Sequence, residues 1–220
     1  MRIAIGLYDM FTSLDVMGPF QVLSSLPGAE VTFVAAEAGP VTDESGFLTI
    51  TAQKSFAELP DPDILLVGGG TITGTLVPDH PIIPWIARAH PKTTWTTSVC
   101  TGALLLAGAG VLKGVEATTH WGAMDDLARL GAKPVSERAV RRGKIVTAAG
   151  VSAGIDMALI LAGEIAGADF ARTLQLMIEY DPHPPFDSGS PAKAGPETVN
   201  RAATAMMEML VQLGKRRQSA

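Results

Sequence analysis

Short, nearly unbroken apolar runs alternate along this chain with longer stretches of helical periodicity, starting from Arg2. Residues 2–7, 30–35, 64–67, 93–99 and 144–148 are apolar or β-branched at most positions, as strands buried on both faces of a parallel sheet must be. Helical patterns fill 16–26, 81–89, 102–111, 122–130, 151–165, 169–178 and 197–213. Strand–helix alternation of this kind predicts an α/β fold with a mostly parallel central sheet. No repeat or flexible linker divides the chain, so a single domain is expected over residues 1–220, with 181–220 as a C-terminal loop and helix extension. The segment 181–191 cannot be helical, because its prolines remove amide donors and force extended or turn geometry.

Composition narrows the class. Hydrophobic residues make up 47% of the chain and charged residues 18%, which describes a well-buried globule rather than a disordered segment. A net charge of −5 argues against a nucleic-acid footprint, which needs clustered positive charge. The longest apolar stretch, 151–168, is interrupted by Asp156 and Glu164, so no membrane span is expected. The N-terminal apolar run stops at Asp9, too early for a secretory signal core. A soluble, cytoplasmic protein is the expectation. One cysteine in 220 residues excludes an intrachain disulfide, and without clustered cysteines or spaced histidines there is no zinc signature. Lys215, Arg216 and Arg217 read as a solvated last helical turn, and Met206, Met207 and Met209 as fillers of a core or subunit seam.

That single cysteine, Cys100, stands where the run Thr93–Val99 gives way to the helical pattern opening at Gly102. A strand-turn-helix junction with a small residue two before (Ser98) and a glycine two after (Gly102) has the form of a nucleophile elbow, which lifts one side chain above the sheet. Proximity to a helix N-terminus favours the thiolate, the form that attacks carbon. The reading is a cysteine-dependent enzyme; the alternative is a buried small hydrophobe. Sites in open α/β sheets lie beyond the carboxyl ends of strands, so residues just after other strands should converge on Cys100.

Gly68-Gly69-Gly70 follows the strand at 64–67 and is either an oxyanion-type hole of exposed N–H groups or a turn. Asp15 is a helix-capping carboxylate or, if it faces Cys100 in a dry pocket, a proton carrier with a raised pKa. The Thr101 N–H occupies the position that supplies an oxyanion donor in elbow enzymes. His120 sits close to a strand end and reads first as a packed residue and second as a catalytic one. His80 and His90 need no catalytic role, and His183 at most borders the pocket.

Taken in order, Leu14–Phe20, Gly68–Thr71, Ser98–Ala103 and Ala117–Trp121 resemble the motifs of the DJ-1/PfpI superfamily, relatives of class I glutamine amidotransferases. The likeness spans almost the whole chain. It is nearest to the isocyanide hydratase branch and extends through Gly150–Asp156, Gln175–Tyr180 and Pro184–Phe186. The resemblance implies a flavodoxin-like three-layer sandwich, a homodimer, and neither a metal nor an organic cofactor. It further implies that Cys100 attacks the terminal carbon of an isocyanide to give a covalent thioimidate, which water resolves to an N-substituted formamide. Asp15 would be the acidic partner, standing where many superfamily members carry glutamate. Thr101, Gly69 and Gly70 would stabilise the adduct, with His120 and Val151 as possible pocket residues. The alternatives are a non-enzymatic ligand or redox sensor domain, or another cysteine-dependent hydrolase or deglycase of the superfamily. A regulator would need a helix-turn-helix region after this domain, and only one helix is expected before Ala220. An amidotransferase would need a downstream histidine with a carboxylate partner, whereas His183 is followed by Pro184 and Pro185. A PfpI-type peptidase would want histidine where Thr101 stands.

Overall fold

A computed structural model describes residues 1–218, with side chains through Lys215. The chain runs β1 (Arg2–Gly6), α1 (Ser13–Leu23), β2 (Glu30–Ala35), β3 (Gly39–Thr42), β4 (Thr49–Ala52), β5 (Lys54–Ser55), β6 (Ile64–Val67) and α2 (Ile82–Ala89). It continues with β7 (Trp95–Val99), α3 (Gly102–Gly108), β8 (Glu116–Ala117), α4 (Met124–Arg129), β9 (Lys133–Pro134), β10 (Ala139–Arg142) and β11 (Ile145–Ala148). Three helices finish it: α5 (Ala153–Ala166), α6 (Ala168–Met177) and α7 (Pro191–Gln218).

Seven strands form the central sheet in the order β10-β11-β7-β6-β1-β2-β5, all pairs parallel except the edge pair β10–β11. The inner strands β6, β7 and β11 are buried at every position, which is why their sequences show no polar alternation. α1, α5 and α6 pack on one another, as do α2, α3 and α4, giving two helical layers around the sheet. This is the expected flavodoxin-like three-layer sandwich. Trp85 of α2 anchors its layer: it is fully buried, stacks on Phe56 and donates its indole N–H to the Leu59 carbonyl at 3.0 Å.

The departures from the sequence reading are local. α1 begins three residues early, α3 stops at Gly108 rather than 111, and Gly110 then takes a φ of +79°. The short strands β3, β4, β5, β8, β9 and β10 were not expected; they are two to four residues long, too short to show a period. The segment 181–190 is non-helical as expected, but helix resumes at Pro191, breaks at Gly195 (φ +74°) and then runs on to Gln218. The last turn falls where a solvated end was expected; the side chains of Arg216 and Arg217 lie outside the described residues. No described helix is long and apolar enough to cross a membrane.

Candidate active site

β7 ends at Val99, and Cys100 turns the chain into α3 with a φ of +57°, the left-handed conformation that side chains rarely adopt. Three contacts hold that strained residue. Its N–H lies between the carbonyls of Ala148 and Ala149 at the end of β11 (3.1 and 2.9 Å), and its own carbonyl accepts from the Thr119 hydroxyl at 2.9 Å. Gly102 must be glycine, because a Cβ there would stand 2.5 Å from the Val67 carbonyl at the end of β6. The elbow inferred from sequence is therefore present, built by the tips of three adjacent parallel strands.

Asp15 reaches this point from the first turn of α1. Thr12 N–H donates to the Gly69 carbonyl (2.8 Å), and Gly69 N–H returns a hydrogen bond to Asp15 Oδ2 (2.7 Å). Asp15 is fully buried, and its other oxygen, Oδ1, has no hydrogen-bond partner of ordinary geometry. Burial pushes the carboxyl up to about 7, opposed by the Gly69 N–H and by the Cys100 thiol that faces it. Burial likewise pushes Cys100 up to about 12, reinforced by the Asp15 charge and opposed by donors from Val151 N–H and from the N–H and hydroxyl of Thr101.

This corrects the expected resting thiolate: two N–H donors at the helix entrance do not offset the loss of water around the sulfur. At neutral pH the sulfur keeps its proton, while the carboxyl, titrating close to 7, is divided between its acid and carboxylate forms.

The glycines also differ from expectation. Both N–H groups offered as adduct donors are occupied: Gly69 holds Asp15, and Gly70 donates to Thr101 Oγ1 at 3.0 Å. Their glycine character answers to close packing, since a Cβ on Gly69 would lie 2.4 Å from Thr101 Oγ1 and one on Gly70 2.5 Å from the Met10 carbonyl. The N–H groups of Thr101 and Val151 are the ones that act on the sulfur.

His120 is half-buried, and no hydrogen bond joins it to Cys100 or Asp15 among the described residues. Its Nδ1 accepts from Gly122 N–H (3.2 Å), and burial pushes its pKa down, so the ring is a neutral wall. It separates two cavities. One, about 480 Å³, is lined by Thr119, Arg138, Gly150, Val151 and Ser152 among others. The other, about 510 Å³, is lined by Thr101, Gly70, Leu104, Met206, Met207 and Leu210 among others. Met206 and Met207 therefore border a cavity and do not fill the core.

Sequence reasoning missed Glu44, in the turn between β3 and β4. Its carboxylate accepts from Thr12 Oγ1 (2.7 Å) and from the N–H and hydroxyl of Thr71 (2.9 and 2.7 Å), tying the entrance of α1 to the glycine loop. It also missed Tyr8, whose hydroxyl lies 2.8 Å from Thr73 Oγ1 and donates to the Gly68 carbonyl. Neither position belongs to a motif that sequence alone would single out. Among the described residues no group of three or more His, Cys, Asp or Glu is placed to hold a metal ion.

The fold and this site define an α/β sandwich with a cysteine elbow paired to a buried acid. The chain belongs to the DJ-1/PfpI family, whose pattern matches residues 1–164. It is 43% identical over 202 residues to an isonitrile hydratase of Pseudomonas putida, an alignment covering 92% of this chain and 88% of that one. A deglycase of Pyrococcus abyssi is 27% identical over 67% of this chain and 89% of its own. Among solved structures, a THiJ/PfpI family protein from Pseudomonas syringae superposes with a TM-score of 0.87 at 38% identity, covering 97% of this chain and 87% of that one.

Proposed function

We propose that this protein is an isonitrile (isocyanide) hydratase that converts R–N≡C and water to R–NH–CHO through a covalent thioimidate on Cys100. The observation that carries the reading is the left-handed Cys100 elbow beside a fully buried Asp15 carboxyl, one of whose oxygens has no hydrogen-bond partner, with the likeness to the isonitrile hydratase in support.

The terminal carbon of an isocyanide must accept both a nucleophile and a proton, and the site holds one of each. The carboxylate of Asp15 takes the thiol proton, and the freed sulfur forms the S–C bond as Asp15 delivers that proton to the same carbon, giving R–N=CH–S–Cys100. No charge is left behind. Asp15, again a carboxylate, accepts a proton from the attacking water as its oxygen bonds to the thioimidate carbon, and passes that proton to the nitrogen. Collapse of the tetrahedral adduct forms C=O and breaks C–S, and the adduct's hydroxyl proton passes by way of Asp15 to sulfur. Thr101 and Val151 N–H groups stabilise sulfur whenever it carries negative charge. Glu44, Gly69 and Gly70 position the pair without touching the reacting atoms.

A homodimer in a cytoplasmic setting belongs to the same reading; the exposed side chains of Leu176, Met177 and Phe186 supply apolar surface that a second copy would cover. Incubation with cyclohexyl isocyanide, followed by NMR, should show N-cyclohexylformamide from the native protein and none from Cys100→Ala. Undiminished formamide from Cys100→Ala would end the covalent mechanism.

A further inference from the structure

The pattern shared with the DJ-1/PfpI family ends at residue 164, yet one wall of the 510 Å³ cavity comes from α7, which begins at Pro191. α7 turns Ala203, Met206, Met207 and Leu210 toward Leu104 and Thr101, whose N–H and hydroxyl act on the Cys100 sulfur. The helix is fastened to the body there. The Thr71 hydroxyl donates to Met209 Sδ at 3.7 Å, Leu213 is buried, and a Cβ on Gly122 would stand 3.0 Å from the Met206 methyl group. The cavity on the other side of His120 has a different character, because Ser136, Glu137, Arg138 and Ser152 contribute to it.

We infer that α7 completes a pocket for the hydrocarbon substituent of the isocyanide, and that Met206, Met207 and Leu210 determine which substituents the enzyme prefers. This rests on the hydratase reading and deepens it. The reacting N≡C group is small and linear, so discrimination between substrates must come from R. An apolar cavity bordered by the residue after the nucleophile is where R would shed water as the carbon meets the sulfur. Flexible methionines suit a pocket that accepts several branched or cyclic substituents. The polar cavity beyond His120 is then left to the attacking water.

The experiment compares methyl and cyclohexyl isocyanide on the native protein, Met206→Gln and Met206→Leu. Met206 is partly exposed, so its replacement leaves the fold in place. The native enzyme should favour cyclohexyl isocyanide in kcat/KM. Met206→Gln should lose roughly tenfold of that value through KM, lose far less on methyl isocyanide, and be rescued by Met206→Leu. Equal losses on both substrates, or no change on either, would overturn the pocket assignment while leaving the hydratase reading standing. A native protein inert toward every isocyanide would instead overturn the hydratase reading and the substituent assignment with it. Titration of Cys100→Ala with N-cyclohexylformamide, read by the fluorescence of Trp121, which borders both cavities, separates binding from chemistry, and the Met206 variant tells which cavity is filled. Binding weakened by Met206→Gln supports the pocket, and unaltered binding counts against it.

Discussion

Two buried aspartates behave in opposite ways. Asp43, in the turn after β3, directs one oxygen at the Ser45 hydroxyl (2.7 Å) and the N–H groups of Gly46 and Leu48 (3.0 and 3.3 Å). Burial works against its charge, but the Ser45 hydroxyl and the Leu48, Gly46 and Phe47 amides outweigh it and hold the carboxyl below the ordinary range. Asp15 has one N–H donor on one oxygen and no hydrogen-bond partner on the other, and burial wins. The contrast separates a carboxylate that builds structure from one held in reserve for chemistry. Saturation with donors fixes the charge, whereas scarcity of donors leaves the proton free to move.

The largest effect should come from removing the mobile proton at Asp15. In Asp15→Asn the amide can neither accept the thiol proton nor deliver it to carbon, so isocyanide turnover should fall about 10²–10⁴-fold while the circular dichroism spectrum is unchanged. Full activity with reduced stability would reduce Asp15 to a helix cap.

Stability against pH sharpens the same contrast. The folded-state pKa of Asp15 is raised from 3.8 to about 7, so between those values the folded protein binds more protons than the unfolded chain. Its favourable contribution is complete below about pH 4 and is lost as pH rises through 7, a change on the order of a few kcal/mol. Asp43, with a lowered pKa, has the opposite sign: its contribution is present above the unfolded value and is lost as pH falls through the folded one. Urea melts across pH 4–8 should therefore show Asp15→Asn gaining stability relative to the native protein as pH rises. A constant difference across that range would mean that Asp15 titrates like an exposed carboxylate.

Asp43→Ala should produce the smallest change, and in stability alone. Loss of the acceptor that Ser45, Gly46 and Leu48 share should cost about 2 kcal/mol, with turnover per folded molecule unaltered. A specific activity that fell along with stability would show that the β3–β4 turn transmits strain to the site through Glu44.

Sequence made the sheet legible because its inner strands are buried on both faces and therefore read as continuous apolar runs. The elbow was legible for a local reason: strand, cysteine, Gly102 and helix follow one another within a few residues. Asp15 could be placed only as one of two alternatives, since its burial depends on Gly68 and Gly69, more than fifty positions away. The engagement of the Gly69 and Gly70 amides, the bridge made by Glu44 and the wall made by Met206 all arise from contacts between distant segments, and no local pattern encodes them. The thiol's resting proton was hidden for the same reason. A helix entrance is visible in sequence, but the desolvation that outweighs it is not.

The central claim is that Asp15 keeps an unsettled proton beside a protonated Cys100, and the carboxyl's own titration tests it most directly. Infrared difference spectra between native protein and Asp15→Asn, recorded from pH 4 to 9, should show one buried carboxylic acid ionising near pH 7. Ionisation already complete at pH 5 would contradict the account.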